Sequence, residues 1–336
     1  MPDTPSYAPR GAVAATPRVS FGGLPARPAA LAGATMGTTW SARLSLPAGL
    51  GDCAARQAIQ AALDEVVAQM STWESESDIS RYNRAGPGWR ALPAAFFHVL
   101  QHALALAEDS GGAYDHRRPA GQCLGFRPWQ RAFEPPSPAA IDAARQRCGW
   151  RRVALDAARG AAFQPGGVYL DLSSIAKGYG VDRAAQALDA LGITDYLVEV
   201  GGELRARGQR PDGQPWRVAV EVPDGSDAHA LALPLRDLAI ATSGDYRRFA
   251  GEGAARYAHT IDPRSGQPVR NGVASVTVLH AGCMQADALA TALTVLGERD
   301  GRAYAERHRL AALFIVRDAD GYRVGASAAF QALAAR

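Results

Sequence analysis

The sequence has no run of about 18 consecutive apolar residues, the length a membrane-spanning helix needs, so no span is expected. Cysteine is scarce: Cys53, Cys123, Cys148 and Cys283 stand far apart, with no C-x-x-C among them. That spacing argues against structural zinc and iron–sulfur clusters, and reduced, mostly buried thiols are the expectation. Charge of one sign is also missing. The 36 Lys and Arg stand against 33 Asp and Glu, a formal net charge of +3, and no long basic block occurs. Nothing therefore points to nucleic acid, and the small positive excess is compatible with an anionic cofactor without arguing for one. No G-x-G-x-x-G opens a helix. His98 and His102 are four residues apart but lack the adjacent Glu of an H-E-x-x-H metal site, so they read as ordinary helix histidines.

What is present is apolar material for a large core: 336 residues, 47% hydrophobic, as one big domain or two intimate lobes. Pro2, Pro5, Pro9, Pro17, Pro25 and Pro28 punctuate the first 32 residues, a composition that cannot sustain a helix and buries little. Residues 1–32 are therefore expected to be a mobile tail and residues 33–336 the folded domain. The tail shows no apolar run of secretory length, so the chain, as given, is expected to be cytoplasmic.

Residues 39–46 alternate as a strand, and Ile59, Leu63, Val66, Val67 and Met70 line one side of a helix over about 54–70. A further helix spans about 93–109 and stops at Gly111 and Gly112. A Pro-marked helix over 137–148 and a strand pair around 153–155 and 161–163 follow. Residues 196–200 and 203–207 flank Gly201 and Gly202 as a hairpin, and 216–222, 238–241 and 257–261 add strands. Strands and helices in separate blocks make an α+β fold with a β-sheet core and segregated helices.

Two stretches carry chemistry. In Y-L-D-L-S-S-I-A-K-G-Y-G-V-D, Tyr169 to Asp182, the alternation of Val168, Leu170 and Leu172 reads as a strand turning into a helix marked by Val181, Ala184, Ala185 and Leu188. Small residues at the joint (Ser173, Ser174, Ala176, Gly178, Gly180) let a ligand lie against the backbone. The N–H groups of the helix start suit an anion, and Lys177 adds a point charge. The joint is either a phosphate-holding turn or an ordinary strand–helix connection with a surface lysine. The second stretch is a β-branched strand at 274–279, followed by an Ala- and Leu-rich helix closed by Gly297. Asp287 and Thr291 share one face of that helix, two hard oxygens a turn apart, which suits Mg²⁺ held jointly with phosphate oxygens. The alternative is that Asp287 complements the helix dipole and Thr291 bonds back to the backbone.

In order along the chain stand G-A-T-M-G-T-T-W (33–40), M-S-T-W-E-S-E-S-D-I-S-R-Y-N (70–83), D-L-S-S-I-A-K-G (171–178) and Y-L-V-E-V-G-G-E-L (196–204). A-T-S-G-D-Y (241–246), H-T-I-D-P-R-S-G-Q-P-V (259–269) and A-D-A-L-A-T-A-L (286–293) complete the series. From about residue 33 to its C-terminus the chain thus resembles the ApbE-type flavin transferases, FAD:protein FMN transferases. Each motif alone is weak and the ordered set is not.

The resemblance implies cleavage of FAD and attachment of FMN to a Thr or Ser hydroxyl of a target protein through a phosphoester, with release of AMP. It implies that Met36 touches the flavin, that Trp73 lies against the isoalloxazine ring and that residues 78–83 close the flavin pocket, between lobes. Ala113, Tyr114 and Asp115 of G-A-Y-D, with Asp171, Lys177 and Ile261, would meet the cofactor. Mg²⁺ would be held by Asp287, Thr291 and a backbone carbonyl near Ser174, and Lys177 would stabilise the anion that develops as AMP leaves. His259 would be the general base, its imidazole titrating near working pH. The acceptor would be a redox or electron-transport subunit with an exposed Thr or Ser; many relatives are exported and membrane-anchored. After G-A-Y-D the chain departs from the family pattern, with His116, Arg117 and Arg118 in place of apolar or hydroxyl residues and Cys123-Leu124-Gly125-Phe126 in place of L-W-G-F. Two rivals stay open: an FAD pyrophosphatase giving FMN and AMP, and a non-catalytic flavin-binding protein.

Overall fold

The computed structural model describes residues 26–115, 139, 150–221, 229–245, 249–250, 257–258, 260–319 and 321–335. Its first elements are β1 (Arg27–Thr35), β2 (Thr38–Leu46), α1 (Asp52–Met70), α2 (Asp78–Arg84), β3 (Gly88–Ala91) and α3 (Ala94–Asp109). After a 3-10 turn at Trp150–Arg152 come β4 (Leu155–Asp156), β5 (Ala161–Gln164), α4 (Ala176–Ala190), β6 (Tyr196–Val200), β7 (Glu203–Arg207), β8 (Trp216–Glu221) and β9 (His229–Leu235). β10 (Ala239–Gly244), β11 (Phe249–Ala250), β12 (Tyr257–Ala258), β13 (Ile261–Asp262), β14 (Gln267–Pro268) and β15 (Val273–His280) follow. The chain closes with α5 (Cys283–Arg307), β16 (Ala311–Asp318), β17 (Gly321–Ala326) and α6 (Ala328–Ala334).

β1, β2, β6, β7, β10, β15, β16 and β17, in that spatial order, make one sheet in which every neighbouring pair is antiparallel. Alternation along each strand decides what each face covers. On one face Trp40, Leu44, Tyr196 and Val198 meet α1 and α4, while Ala241, Val276, Val278 and Phe314 meet α5. On the other face Ile240, Leu279, Leu313 and Ile315 meet the β8–β9 hairpin and α6. A further core lies on the far side of α4 and α5, where Tyr179, Met284 and Ala288 pack with α3 and with Tyr114, Val168, Leu170 and Leu172. The two helices are therefore a layer shared between cores, and the architecture is the expected α+β. Among the described residues no helix is long and apolar enough to cross a membrane.

Three expectations are corrected. Residues 27–32, assigned to the tail for their prolines, belong to β1, an edge strand where Pro28, opposite Ser45, interrupts no interior ladder. In residues 168–172 the apolar side chains Val168, Leu170 and Leu172 are buried as on the core face of a strand, with Asp171 buried too, yet among the described residues they pair with no strand. Side-chain amides replace the ladder. Asn83 accepts the Leu170 N–H at 2.7 Å and donates to the Leu170 carbonyl at 2.8 Å, and Gln164 accepts the Val168 N–H at 3.2 Å and donates to its carbonyl at 3.0 Å. The helix expected to end at Gly297 breaks there, at φ 81° and ψ 176°, and resumes to Arg307. The helix expected over 137–148 falls, except for residue 139, outside the described residues.

Neither α4 nor α5 caps its own first turn: Ile175 and Gly282 stand at the two N-caps without a side-chain hydrogen bond. Each helix is capped by the other. Asp182 of α4 accepts the Cys283 N–H at 3.0 Å and the Met284 N–H at 2.9 Å, and Asp287 of α5 accepts the Gly178 N–H at 3.0 Å. Orphan N–H groups and the positive end of the helix dipole both favour a carboxylate at these places. On the sheet side, Glu203, Arg205 and Arg207 share one face of β7 and form ion pairs with Lys177, Asp182 and Asp189 of α4.

The crossing has to be close for this exchange. A Cβ on Gly178 would lie 2.7 Å from the Cys283 carbonyl carbon and 2.8 Å from the Asp287 Cβ. Gly178→Ala thus overpacks against backbone, a cost of about 1–3 kcal/mol that exceeds the roughly 1 kcal/mol Ala gains over Gly in a helix, so urea unfolding is expected to show a net loss of stability. Gly180→Ala meets only the movable Met36 methyl at 2.9 Å and the Leu63 side chain, and is expected to be neutral or slightly stabilising. Equal losses at the two glycines would refute the close crossing.

Candidate active site

The chain approaches α4 through Asp171, whose Oδ1 accepts the Ser173 N–H at 2.9 Å and the Ser173 hydroxyl, a turn that aims the helix. The next residue, Ser174, is buried and donates its hydroxyl to the Tyr114 oxygen at 3.1 Å, joining the G-A-Y-D turn to the start of α4. The N–H groups expected to wait for an anion are partly in use: Ala176 bonds the Leu172 carbonyl at 2.8 Å and Gly178 bonds Asp287. The charge answering this helix end is the chain's own carboxylate.

Lys177, expected as a point charge, is ion-paired with Glu203, the first residue of β7. Its side chain is 34% exposed and that of Glu203 only 4%, so the lysine reaches from an accessible face onto a buried carboxylate. Burial above all raises the Glu203 carboxyl; Lys177 pulls it down, Asp287 raises it again, and it stands at about 7. Its Oε2 finds no hydrogen-bond partner among the described residues. Burial first, then Asp182, Glu203 and Asp287, also hold the Cys283 thiol well above its ordinary range, so three carboxylates converge on the start of α5.

One turn along α5, Thr291 shares a hydrogen bond with Ser243 of β10, oxygen to oxygen 3.0 Å. Met36 packs against both adjoining cores from the β1–β2 turn, where its φ of 49° is unusual for a residue with a side chain. Met36, Tyr114, Ser174, Lys177, Asp287 and Thr291 are thereby gathered around the α4–α5 crossing. Ala113 is buried and Asp115 half-buried in the turn that carries Tyr114. Two other expected residues are placed by loops. Trp73 stands 62% exposed after α1, and Ile261 is half-buried in the β13–β14 hairpin, next to Asp262, which takes the Arg264 guanidinium through two contacts of 2.9 Å. A Cβ on Gly112 would come 3.9 Å from Arg264 Cγ, so this hairpin lies beside the G-A-Y-D turn. His259, Arg117 and Arg118 lie outside the described residues.

Sequence reasoning missed Asp182, Glu203 and Ser243, although all three stand inside the quoted motifs. The available signal was a polar residue on a face of small and apolar ones: Asp182 shares the helical face of Gly178 and Ala185, and Ser243 extends the helix-facing side begun by Ala239 and Ala241.

An antiparallel α+β scaffold brings a lysine, buried carboxylates and a helix-borne Asp–Thr pair to one crossing, and its relatives are transferases. The chain belongs to the ApbE family, whose model matches residues 36–314. The FAD:protein FMN transferase of Vibrio cholerae is 39% identical to it over 312 residues, covering 91% of this chain and 93% of that protein. The protein of the same name from Haemophilus influenzae is 36% identical, covering 90% of each. Among solved structures, the apo form of Pseudomonas stutzeri flavinyl transferase ApbE superposes with a TM-score of 0.86 at 36% identity, covering 93% of this chain and 98% of that one.

The raised carboxyl of Glu203 fixes a sign. At about 7, against an ordinary 4.5, the folded state holds this proton more tightly than the unfolded chain does. The resulting stabilisation is full below about 4.5 and is lost as pH rises through about 7. Urea unfolding with EDTA present, between pH 5 and 8, is expected to show this loss in the wild type and not in Glu203→Gln; parallel profiles would contradict it.

Proposed function

We propose that this chain transfers FMN from FAD to a Thr or Ser hydroxyl of another protein, forming a phosphoester and releasing AMP. The observation that carries the reading is Asp287 and Thr291, set a turn apart on α5 with Asp287 bonded to α4 beside Lys177, in a chain of the ApbE family. The donor set fits Mg²⁺: Asp287 and Thr291 are hard oxygens, and Asp287 lies near enough to raise Glu203, a repulsion that a divalent cation relieves. Asp287, Thr291 and the backbone carbonyl of Ser174 would hold the ion, and the chemistry supplied there is neutralisation of diphosphate charge.

The chain's own residues do the rest. Lys177 stabilises the AMP phosphate as its bond to the FMN phosphorus breaks. His259 takes the proton of the incoming hydroxyl, whose oxygen makes the new bond to that phosphorus. Met36 and Trp73 offer a thioether and an indole to the flavin rings, and Ala113, Tyr114, Asp115, Asp171 and Ile261 supply the remaining cofactor contacts. The acceptor assigned is an exposed Thr or Ser of a redox or electron-transport subunit.

Asp287→Ala removes a helix cap together with an oxygen ligand, so Asp287→Asn, whose amide oxygen still accepts the Gly178 N–H, is the cleaner variant. With FAD, Mg²⁺ and an acceptor bearing a flavinylation motif, the wild type is expected to yield a fluorescent acceptor on denaturing gels and one AMP per label. Asp287→Asn is expected to label on the order of 10²-fold more slowly while melting near the wild type. AMP without labelling would replace transfer by hydrolysis, and tight FAD binding with neither product would leave a carrier.

A further inference from the structure

We infer that Glu203 is a positioning residue for this transfer: its carboxylate tethers the Lys177 ammonium at the start of α4 and so sets where that charge meets the bound diphosphate. The inference rests on the role proposed for Lys177. Three observations support it.

The first is the polarity of the β7–α4 ladder. Two of its rungs place the base on the strand and the acid on the helix, Arg205 with Asp182 and Arg207 with Asp189. The rung at the site is inverted, with Glu203 on the strand and Lys177 on the helix. Lys177 is the second residue of α4, where the helix dipole disfavours a cation. An inverted rung therefore works against local helix stability, and its effect is to keep a positive charge where the helix start alone would not.

The second is rigidity. Glu203 follows directly on the Gly201–Gly202 turn, and a Cβ on Gly201 would lie 2.9 Å from the Thr38 Cγ2, so the hairpin tip is seated on the beginning of β2. A carboxylate borne by such a tip has little freedom, which suits an orienting group.

The third is the condition of the carboxylate. It is buried with one oxygen on Lys177 and the other, Oε2, without a hydrogen-bond partner among the described residues. An arrangement selected for stability alone would satisfy both oxygens. The burial that raises this carboxyl toward neutrality also makes Lys177 its chief compensation.

The test is a double-mutant cycle on acceptor labelling, with kcat and KM measured for wild type, Lys177→Ala, Glu203→Ala, Glu203→Gln and Lys177→Ala combined with each Glu203 variant. FAD affinity from flavin fluorescence and melting temperature are measured alongside. Glu203→Ala is expected to lower kcat about tenfold or more with KM changed less than about threefold. Glu203→Gln, which keeps an acceptor oxygen, recovers part of that loss, and the double variants are no slower than Lys177→Ala, because a tether has no effect once its lysine is gone. Losses that multiply in the double variants, or a kcat for Glu203→Ala within about twofold of wild type once corrected for the folded fraction, overturn the inference. If Glu203→Ala does not fold, the Gln variant decides on the same criterion: its loss must vanish in the Lys177→Ala background. A wild type that labels no acceptor overturns the proposed function and this role together, whereas a wild type that labels, with independent losses, overturns only the role of Glu203.

Discussion

Two carboxylates exchanged between two helices hold the centre of this molecule together. Asp182 leaves α4 to cap α5, and Asp287 leaves α5 to cap α4. Neither helix start can shift without stranding buried N–H groups, each costing about 1–3 kcal/mol when left unpaired. The geometry this imposes is narrow, since Gly178 has no room for a side chain. Lys177, flanked by Gly178, and Thr291, one turn beyond Asp287, inherit their positions from this arrangement.

The same exchange explains how a buried aspartate can serve a ligand. A carboxylate that must present an oxygen to a cation needs another contact to orient it, and hydrogen bonds to ligating groups commonly supply that. For Asp287 the contact is the Gly178 N–H, which draws on the positive end of α4. Helix start and carboxylate therefore stabilise one another before any ligand arrives. Asp182 stands differently: with two N–H groups and the Arg205 ion pair it is committed to structure. Two aspartates in similar capping roles at one crossing thus differ in their further partner: Asp182 pairs with Arg205, and Asp287 is the one to which the proposed function assigns the ion.

Much of this was legible in the sequence. The apolar spacing of Ile59, Leu63, Val66 and Met70 gave α1, Gly201 and Gly202 gave the β6–β7 hairpin, and the four-residue step from Asp287 to Thr291 gave the shared helix face, because each is a local matter of period or turn chemistry. What escaped was made by distant partners. The capping contacts join residues 101, 102 and 109 positions apart, and no window of sequence reveals that a helix lacking its own cap borrows one. The segment 168–172 shows the same limit in another form. Its alternation announced the burial of Val168, Leu170 and Leu172 though not that of Asp171, and alternation is silent on what satisfies the backbone: there Asn83 and Gln164 stand where a strand was expected. Prolines misled at residues 27–32 because their meaning depends on whether a strand is central or at an edge.

The surroundings of α4 suggest why a sheet edge and a helix crossing make a workable site. The β1–β2 turn bends at Met36 and Gly37, both with positive φ, and brings the Met36 methyl against Gly180. The β6–β7 turn bends at Gly201 and Gly202, also with positive φ, and brings Glu203 onto Lys177. These tips are not independent, since Gly201 is seated against Thr38, two residues beyond Met36. A thioether proposed for the flavin end and a carboxylate proposed to position the charge at the phosphate end are thus delivered to the first turns of α4 by one piece of sheet. Strain at a non-glycine residue such as Met36 persists only where the surroundings over-determine it, and here they do: the methionine is wedged between two cores while the hairpin behind it is locked to its neighbour. A change at either tip is therefore expected to be felt at the other, and the spacing between the Met36 thioether and the Glu203 carboxylate is set by backbone rather than by side-chain choice.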